Sequence, residues 1–241
     1  MNKEQDIKSI GKLVFLHFFP GVIGTILYVI ILRQGILSEY PKVIHLSLAS
    51  FLSMAPLQIG YLCYKSYTEV NSFNFFKILG LKSKLPLKEY LIYTPVLLIA
   101  AGLAMLALNP LTEIMLSWFP DWFTSLYIED MAQYSKPILL ITTLVSFFYL
   151  TIIAPIIEEL YFRGYLLARM KWMGNYGVLL NIVLFSIYHF WSPWLIVSRS
   201  IAFLPWLYVV NKKNSLGLAI AVHCLANFTD VIAMLFLLLQ V

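Results

Sequence analysis

Charged residues are scarce in this chain of 241 residues. Asp, Glu, Lys and Arg make up 12% of it, whereas a soluble domain carries roughly 25%. The hydrophobic fraction is 61% and the mean hydropathy is +0.82. This composition excludes an ordinary soluble domain and predicts a polytopic membrane protein in a lipid bilayer. The net charge of +5 is modest and does not indicate a nucleic-acid partner.

Cysteine and the common enzyme motifs are also rare or missing. Cys63 and Cys224 both lie in apolar runs, and no CxxC or Cys-His spacing is present, which excludes a disulfide framework and a structural zinc site. The sequence has no GxSxG, HExxH, GxxxxGK[ST] or GxGxxG motif. We therefore predict no cofactor and no metal, and the usual serine-hydrolase, zincin and nucleotide-binding interpretations have no support.

The chain does contain long apolar runs. A membrane span needs about 20 mostly apolar residues. Seven runs approach this length, at residues 13–32, 43–64, 90–108, 136–157, 176–191, 194–211 and 215–239. The fifth and sixth are short, and one of them is a candidate re-entrant segment. We predict an all-α fold, a polytopic transmembrane helical bundle of about seven spans.

The distribution of Lys and Arg indicates the orientation in the cell membrane. With a cytoplasmic N-terminus, thirteen basic residues, from Lys3 to Lys213, fall in inside segments. Three fall outside: Arg33, Lys42 and Lys136. Because cytoplasmic loops are enriched in Lys and Arg, the bias predicts a cytoplasmic N-terminus, and an odd number of spans then places the C-terminus outside at Val241.

One inside segment, residues 65–88, mixes lysines with aromatic and aliphatic residues, among them Phe73 and Phe76. This mixture is typical of an amphipathic segment that lies at the membrane interface. We predict that it lies on the cytoplasmic surface.

Three ionisable residues follow the fourth apolar run. Glu158 and Glu159 are adjacent, and Arg163 comes four residues after Glu159, the favourable helical spacing for an ion pair. Ionised groups near hydrocarbon are costly, so they indicate a partner or a function. The alternative is a solvated pair at the interface.

Two further groups of polar residues lie in later spans. Phe185 and His189 are four apart near the end of the fifth span. His223, Asn227 and Asp230 follow at i, i+4 and i+7, one polar stripe on the seventh. Taken separately, a packed histidine and an interhelical hydrogen-bond clamp explain them as well as catalysis does.

Together, these three groups contain the parts of a hydrolase. Two carboxylates, two imidazoles and a carboxamide supply a general base, its partner and donors for an oxyanion. Peptide hydrolysis without a covalent nucleophile needs these parts, because the attacking water must lose a proton and the carbonyl oxygen gains negative charge.

The ordered motifs resemble a known family. Glu158-Glu159-x-x-x-Arg163, Phe185-x-x-x-His189 and His223-x-x-x-Asn227 resemble the three signatures of the CAAX protease and bacteriocin-processing family. This group of intramembrane proteases, also called the abortive-infection family, includes the type II CAAX endopeptidases. The resemblance covers roughly residues 90–235. We therefore predict one membrane domain, with N-terminal spans and the amphipathic segment in residues 1–89 and the catalytic core in residues 90–241.

The resemblance implies a role for each residue. Glu158 with His189 would activate the attacking water, and His223 with Asn227 would stabilise the oxyanion. Glu159, paired with Arg163, would orient the site. Phe185 would support it.

The family also implies a cavity that opens to the cytoplasm and sideways into lipid. The implied substrate is a peptide or a lipidated protein, ranging from prenylated CaaX tails to pheromones, bacteriocins and their leaders. Two alternatives remain: a zinc site formed by Glu158, His189 and His223, and a non-catalytic immunity or scaffolding protein whose polar residues hold helices together.

The depths of these residues conflict when the spans are treated as straight helices. Glu158 then lies at the inner membrane boundary, while His189 is about 21 Å deep and His223 about 12 Å deep, at about 1.5 Å per residue. The residues converge only if helices tilt or if the fifth span begins deeper than its loop indicates.

Overall fold

The structure is a computed structural model that describes residues 6–240. Lys3 and Val241, which enter the charge and topology predictions, lie outside the described residues. The described chain is helical and contains no β-strand. Its helices are α1 (Ile10–Arg33), α2 (Lys42–Val70), α3 (Leu87–Ala107), α4 (Asn109–Leu116), α5 (Asp121–Thr124), α6 (Lys136–Met173), α7 (Asn175–Tyr188), α8 (Pro193–Lys213) and α9 (Leu216–Gln240). Short 3₁₀ turns also occur at Phe75–Ile78 and Met131–Gln133.

Six of the helices in residues 6–240 are long and apolar enough to cross a membrane: α1, α2, α3, α6, α8 and α9. The all-α, polytopic bundle is therefore confirmed. The fifth predicted span differs, because α7 has 14 residues. At about 1.5 Å per residue it is roughly 21 Å long, shorter than a hydrocarbon core of about 30 Å.

Local sequence explains where the helices begin and end. The Ser9 side chain accepts a hydrogen bond from the amide of Lys12 at 3.2 Å and caps the start of α1. Asn71 and Asn214 end α2 and α8 in the left-handed conformation, with φ of 50° and 53°. Asn adopts this conformation more readily than most residues, so both helices end in a sharp turn.

The prediction that the fourth span ends at residue 157 is wrong. Helix α6 runs for 38 residues to Met173 and contains π-helical turns at Ser146–Ile153 and Glu159–Leu166. Glu159 and Arg163 do not form a solvated pair at the interface, because Glu159–Leu166 is entirely buried. These polar residues have partners inside the protein, so they do not end the helix.

Gly174 reverses the chain after α6. Its φ of 57° and ψ of −134° lie in a region that side chains disfavour. Helix α7 then returns antiparallel to α6, and the two pack closely: a Cβ at Gly177 would lie 2.7 Å from the Met170 carbonyl oxygen. The second half of α6 and α7 thus form a hairpin.

This hairpin lies inside the bundle, in the main apolar core. Helix α1 approaches α7 closely at Gly21, where a Cβ would lie 2.5 Å from the Tyr188 carbonyl oxygen. Small residues allow such contacts between helices in membranes. Helices α2, α8 and α9 also contact the hairpin, so the polar residues of α6 and α7 are enclosed.

The segment at 65–88 differs from a freely lying interfacial segment. Its first residues belong to α2, and Ile78–Leu81 is buried beneath α6. The amide of Gly80 donates to the Gly164 carbonyl at 2.7 Å, and the amide of Leu216 donates to the Leu81 carbonyl at 2.8 Å. Phe73 and Phe76 remain exposed. The segment therefore joins α6 to the start of α9 and leaves Phe73 and Phe76, among other side chains, at the surface.

Candidate active site

The two adjacent glutamates of α6 both face His223 of α9. Glu158 ends an α-helical stretch and Glu159 begins the π-helical turns, a helix distortion that frequently occurs at functional sites. The Oε1 atom of Glu159 lies 2.8 Å from Nδ1 of His223. The Oε2 atom of Glu158 lies 3.9 Å from Nε2 of the same ring. One imidazole therefore lies between two carboxylates.

Glu159 also pairs with Arg163, and both side chains are 0% exposed. Nε of Arg163 lies 3.4 Å from Oε2 of Glu159. The guanidinium carbon lies 3.8 Å from the centre of the Phe185 ring and 5.5 Å from that of Trp206. Within residues 6–240, the guanidinium nitrogens have no hydrogen-bond partner. A carboxylate and an aromatic face therefore compensate this buried charge.

The hydrogen bond from Glu159 orients the His223 ring. A carboxylate only accepts, so Nδ1 of His223 carries the hydrogen and donates it to Glu159. The other nitrogen, Nε2, then points toward Glu158. Their separation of 3.9 Å is too long for a direct hydrogen bond. Nε2 is thus left for another partner beside the Glu158 carboxylate.

His189 lies at the end of α7 and is oriented in a similar way. Its Nδ1 donates to the Phe185 carbonyl oxygen at 2.8 Å, because a carbonyl only accepts. The Phe185 ring contacts both imidazoles, with centroid distances of 4.7 Å to His189 and 5.9 Å to His223. Phe185 therefore connects the two histidines and also covers the Arg163 guanidinium.

Asn227 lies one helical turn beyond His223 on α9. Its Nδ2 donates one hydrogen bond to the Leu150 carbonyl of α6 at 2.8 Å. An Asn amide has two N–H donors, so a second one remains. The bond to Leu150 holds the amide next to α6 and uses only one of its two donors.

The sequence analysis missed Tyr188, which contacts Glu158, and Gln58, which contacts Tyr188. The hydroxyl of Tyr188 donates to Oε1 of Glu158 at 3.2 Å, and Nε2 of Gln58 donates to the Tyr188 hydroxyl at 3.0 Å. Both Gln58 and Tyr188 are buried. The available signal was Gln58 itself, a polar side chain within an apolar run, which indicates a partner or a function.

The length of α6 explains how Glu158, His189 and His223, predicted at different depths in the membrane, come to similar levels. Gly174 lies midway in the sequence between Glu159 and His189, so the antiparallel hairpin brings these two residues to the same level. Helix α9 begins beside Gly164, where a Cβ would lie 3.2 Å from the Leu216 side chain. From there α9 rises about 10 Å to His223, at about 1.5 Å per residue, while α6 rises about 8 Å to Glu159.

The proposed zinc ligands do not form a metal-binding group. Within the described part of the chain, no set of three His, Cys, Asp or Glu side chains is arranged to hold a metal ion. Glu158, His189 and His223 therefore do not form such a set. The geometry therefore gives the zinc alternative no support.

The fold and the site together define a multi-pass integral membrane protein with a buried carboxylate–imidazole centre. Residues 140–229 match the family described as Rce1-like, type II CAAX prenyl endopeptidase. This segment contains all three motifs, and the match confirms the CAAX protease family for the part of the chain that carries the site. No curated protein and no solved structure matches the chain. The match supports CAAX-type intramembrane endopeptidase activity on a peptide substrate.

Proposed function

We propose that the protein is an intramembrane endopeptidase that hydrolyses a peptide bond with an activated water and without a covalent enzyme intermediate. One observation carries the proposal. Glu158 and Glu159 of α6 meet His223 of α9 within 3.9 Å inside a membrane bundle. Burying these groups is costly unless they have partners or a function, and Glu159 is already paired with Arg163. The second carboxylate is then available for chemistry.

Glu158 is the proposed general base. Its side chain is 14% exposed, whereas that of Glu159 is 0% exposed, so water reaches Glu158. The water gives a proton to the carboxylate as its oxygen attacks the peptide carbonyl carbon. Nε2 of His189 accepts the second hydrogen bond of this water, since Nδ1 is held by Phe185. Glu158 then passes the proton to the leaving nitrogen as the C–N bond breaks.

His223 and Asn227 are the proposed donors to the oxyanion. To act as a donor there, the His223 ring carries a hydrogen on both nitrogens: Nδ1–H is held by Glu159, and Nε2–H faces the space beside Glu158. The second N–H of Asn227, one helical turn further along α9, is the other proposed donor. Two donors that are already oriented stabilise the developing negative charge without reorganisation.

The substrate class follows from the setting in the membrane. A site in the core of the bundle receives a peptide or a lipidated protein that is in contact with the bilayer. We propose the cell membrane as the location, with a cytoplasmic N-terminus, because Lys and Arg are concentrated on one side of the spans.

Cleavage by the purified protein tests the proposal. The protein is reconstituted in liposomes with a set of internally quenched apolar peptides, and the products are identified by mass spectrometry in H₂¹⁸O. We expect one ¹⁸O in the new carboxyl group, no loss of activity with a chelator, and nearly no turnover for Glu158→Gln. Glu113→Gln, the same change on exposed α4, is the matched control.

Two results would contradict the proposal. Loss of activity with the chelator and its return with Zn²⁺ would favour the zinc alternative. If the wild-type protein cleaves no peptide in the set while remaining folded, the scaffolding or immunity alternative is favoured instead.

A further inference from the structure

Asp230 is an ionisable residue that the proposed mechanism does not use. It is the only Asp, Glu, Lys or Arg in α9. The family match ends at residue 229, so Asp230 lies outside it. In the described part of the chain, no hydrogen bond or ion pair to its carboxylate is found, and its side chain is exposed. Asp230 is therefore a carboxylate without a protein partner on a membrane helix.

The position of Asp230 in α9 is unusual for a carboxylate that contacts only lipid. Asp230 lies well inside α9, with roughly 15 Å of helix remaining before Gln240 at about 1.5 Å per residue. Intramembrane carboxylates almost always face a protein interior, a water-filled cavity or a substrate path. Next to it, Val231 is buried. Asp230 thus lies beside the packed face of α9, with its own side chain exposed.

Asp230 is aligned with the site. His223 and Asp230 are separated by two helical turns, so both side chains point to the same side of α9. Along the axis they are about 10 Å apart, at about 1.5 Å per residue. An extended peptide advances about 3.3 Å per residue, so this separation corresponds to about three residues of substrate. A chain that passes His223 along α9 reaches Asp230 at that distance.

We propose that Asp230 is a specificity-determining residue that binds a cationic side chain, Lys or Arg, about three residues from the scissile bond of the substrate. This inference rests on the proposed endopeptidase function. The same carboxylate repels a negative group at that position, including a free C-terminal carboxylate. The site then favours internal cleavage of a basic peptide over removal of a short C-terminal tail on the side of Asp230.

The test uses internally quenched apolar peptides with both ends blocked. Each peptide carries one Lys, Glu or Leu at a position from one to five residues from the scissile bond, on either side. Blocking the ends ensures that lysine is the only cation. We expect the wild-type protein to prefer Lys over Leu by at least about tenfold in kcat/KM, near the third position on one side only.

Variants of Asp230 then assign the preference. Asp230→Asn should reduce the ratio of Lys to Leu to about one while leaving cleavage of the Leu peptide unchanged. Asp230→Lys should reverse the preference toward Glu. In the matched control, Asp230→Asn combined with Thr229→Asp moves the carboxylate about 100° around α9, and the preference for Lys should not return.

The outcomes separate this inference from the proposed function. If no peptide is cleaved, the endopeptidase function fails and the inference fails with it. If peptides are cleaved with equal ratios in the wild type and in Asp230→Asn, the function stands and the inference is overturned. That result would indicate that the carboxylate meets only water or lipid headgroups. Cleavage of the Leu peptide by each variant shows that the variant is folded.

Discussion

Replacing Glu159 with Gln tests the buried charge pair that supports the site. Gln has nearly the same shape, and its amide oxygen still accepts the hydrogen bond from Nδ1 of His223. The change therefore removes charge while keeping that contact. What remains beside Arg163 is the Phe185 ring, 3.8 Å from the guanidinium carbon. The guanidinium becomes a buried cation without its carboxylate.

The expected loss of stability follows from the burial of both partners. Glu159 and Arg163 are each 0% exposed, and removing one partner of a buried pair costs about 3–5 kcal/mol. The contact with Phe185 is present before and after the change and does not offset this loss. We expect the free energy of unfolding to fall by about 3 kcal/mol. Arg163→Met in the Glu159→Gln background removes the stranded cation and should restore most of it.

Unfolding in mixed micelles with increasing SDS, followed by the change in far-UV circular dichroism, measures these differences. The matched control is Glu89→Gln, which breaks the Lys213–Glu89 pair at 2.8 Å, where both side chains are about one-third exposed. We expect little change there, because water screens an exposed pair. A Glu159→Gln protein as stable as the wild type, or a double variant as unstable as the single one, would refute the reasoning.

Three further predictions concern the same site and its orientation. Arg163→Lys keeps the charge but loses the flat guanidinium that lies on Phe185, so we expect a marked loss of activity at near-normal membrane levels; full activity would show that charge alone matters. Asn227→Ala should reduce kcat by about 10²–10³, and an unchanged kcat would remove Asn227 from the oxyanion site. Reporter fusions should place Lys82 in the cytoplasm and Asp121 outside, and an external Lys82 would overturn the orientation.

The sequence predicted the residues of the candidate site because of where they occur. Polar groups in apolar runs are costly, so a sequence of this composition keeps few of them, and each one carries information. The spacing of four between Glu159 and Arg163 predicted a contact that lies within one helix. The structure places these residues 3.4 Å apart.

The sequence carried no comparable signal for contacts between different helices. The sequence analysis gave Glu159 only Arg163 as a partner, whereas the structure adds His223 from α9. Tyr188 of α7 donates to Glu158, and Gln58 of α2 donates to Tyr188. Helix spacing describes neighbours on one helix, but the relative height and rotation of two helices depend on their packing. A second partner for Glu159 therefore appears only in the folded bundle.

Glu158 and Glu159 have different surroundings, and this difference explains why the site contains two adjacent glutamates. A single carboxylate cannot both compensate the buried Arg163 and exchange a proton with water, because protonation would leave the arginine without its counter-charge. Glu159 is fully buried between Arg163 and His223, whereas Glu158 is partly exposed and accepts one bond from Tyr188. We infer that Glu159 compensates Arg163 and orients His223, and that this leaves Glu158 to take the proton from the attacking water. Neither carboxylate alone would serve both purposes.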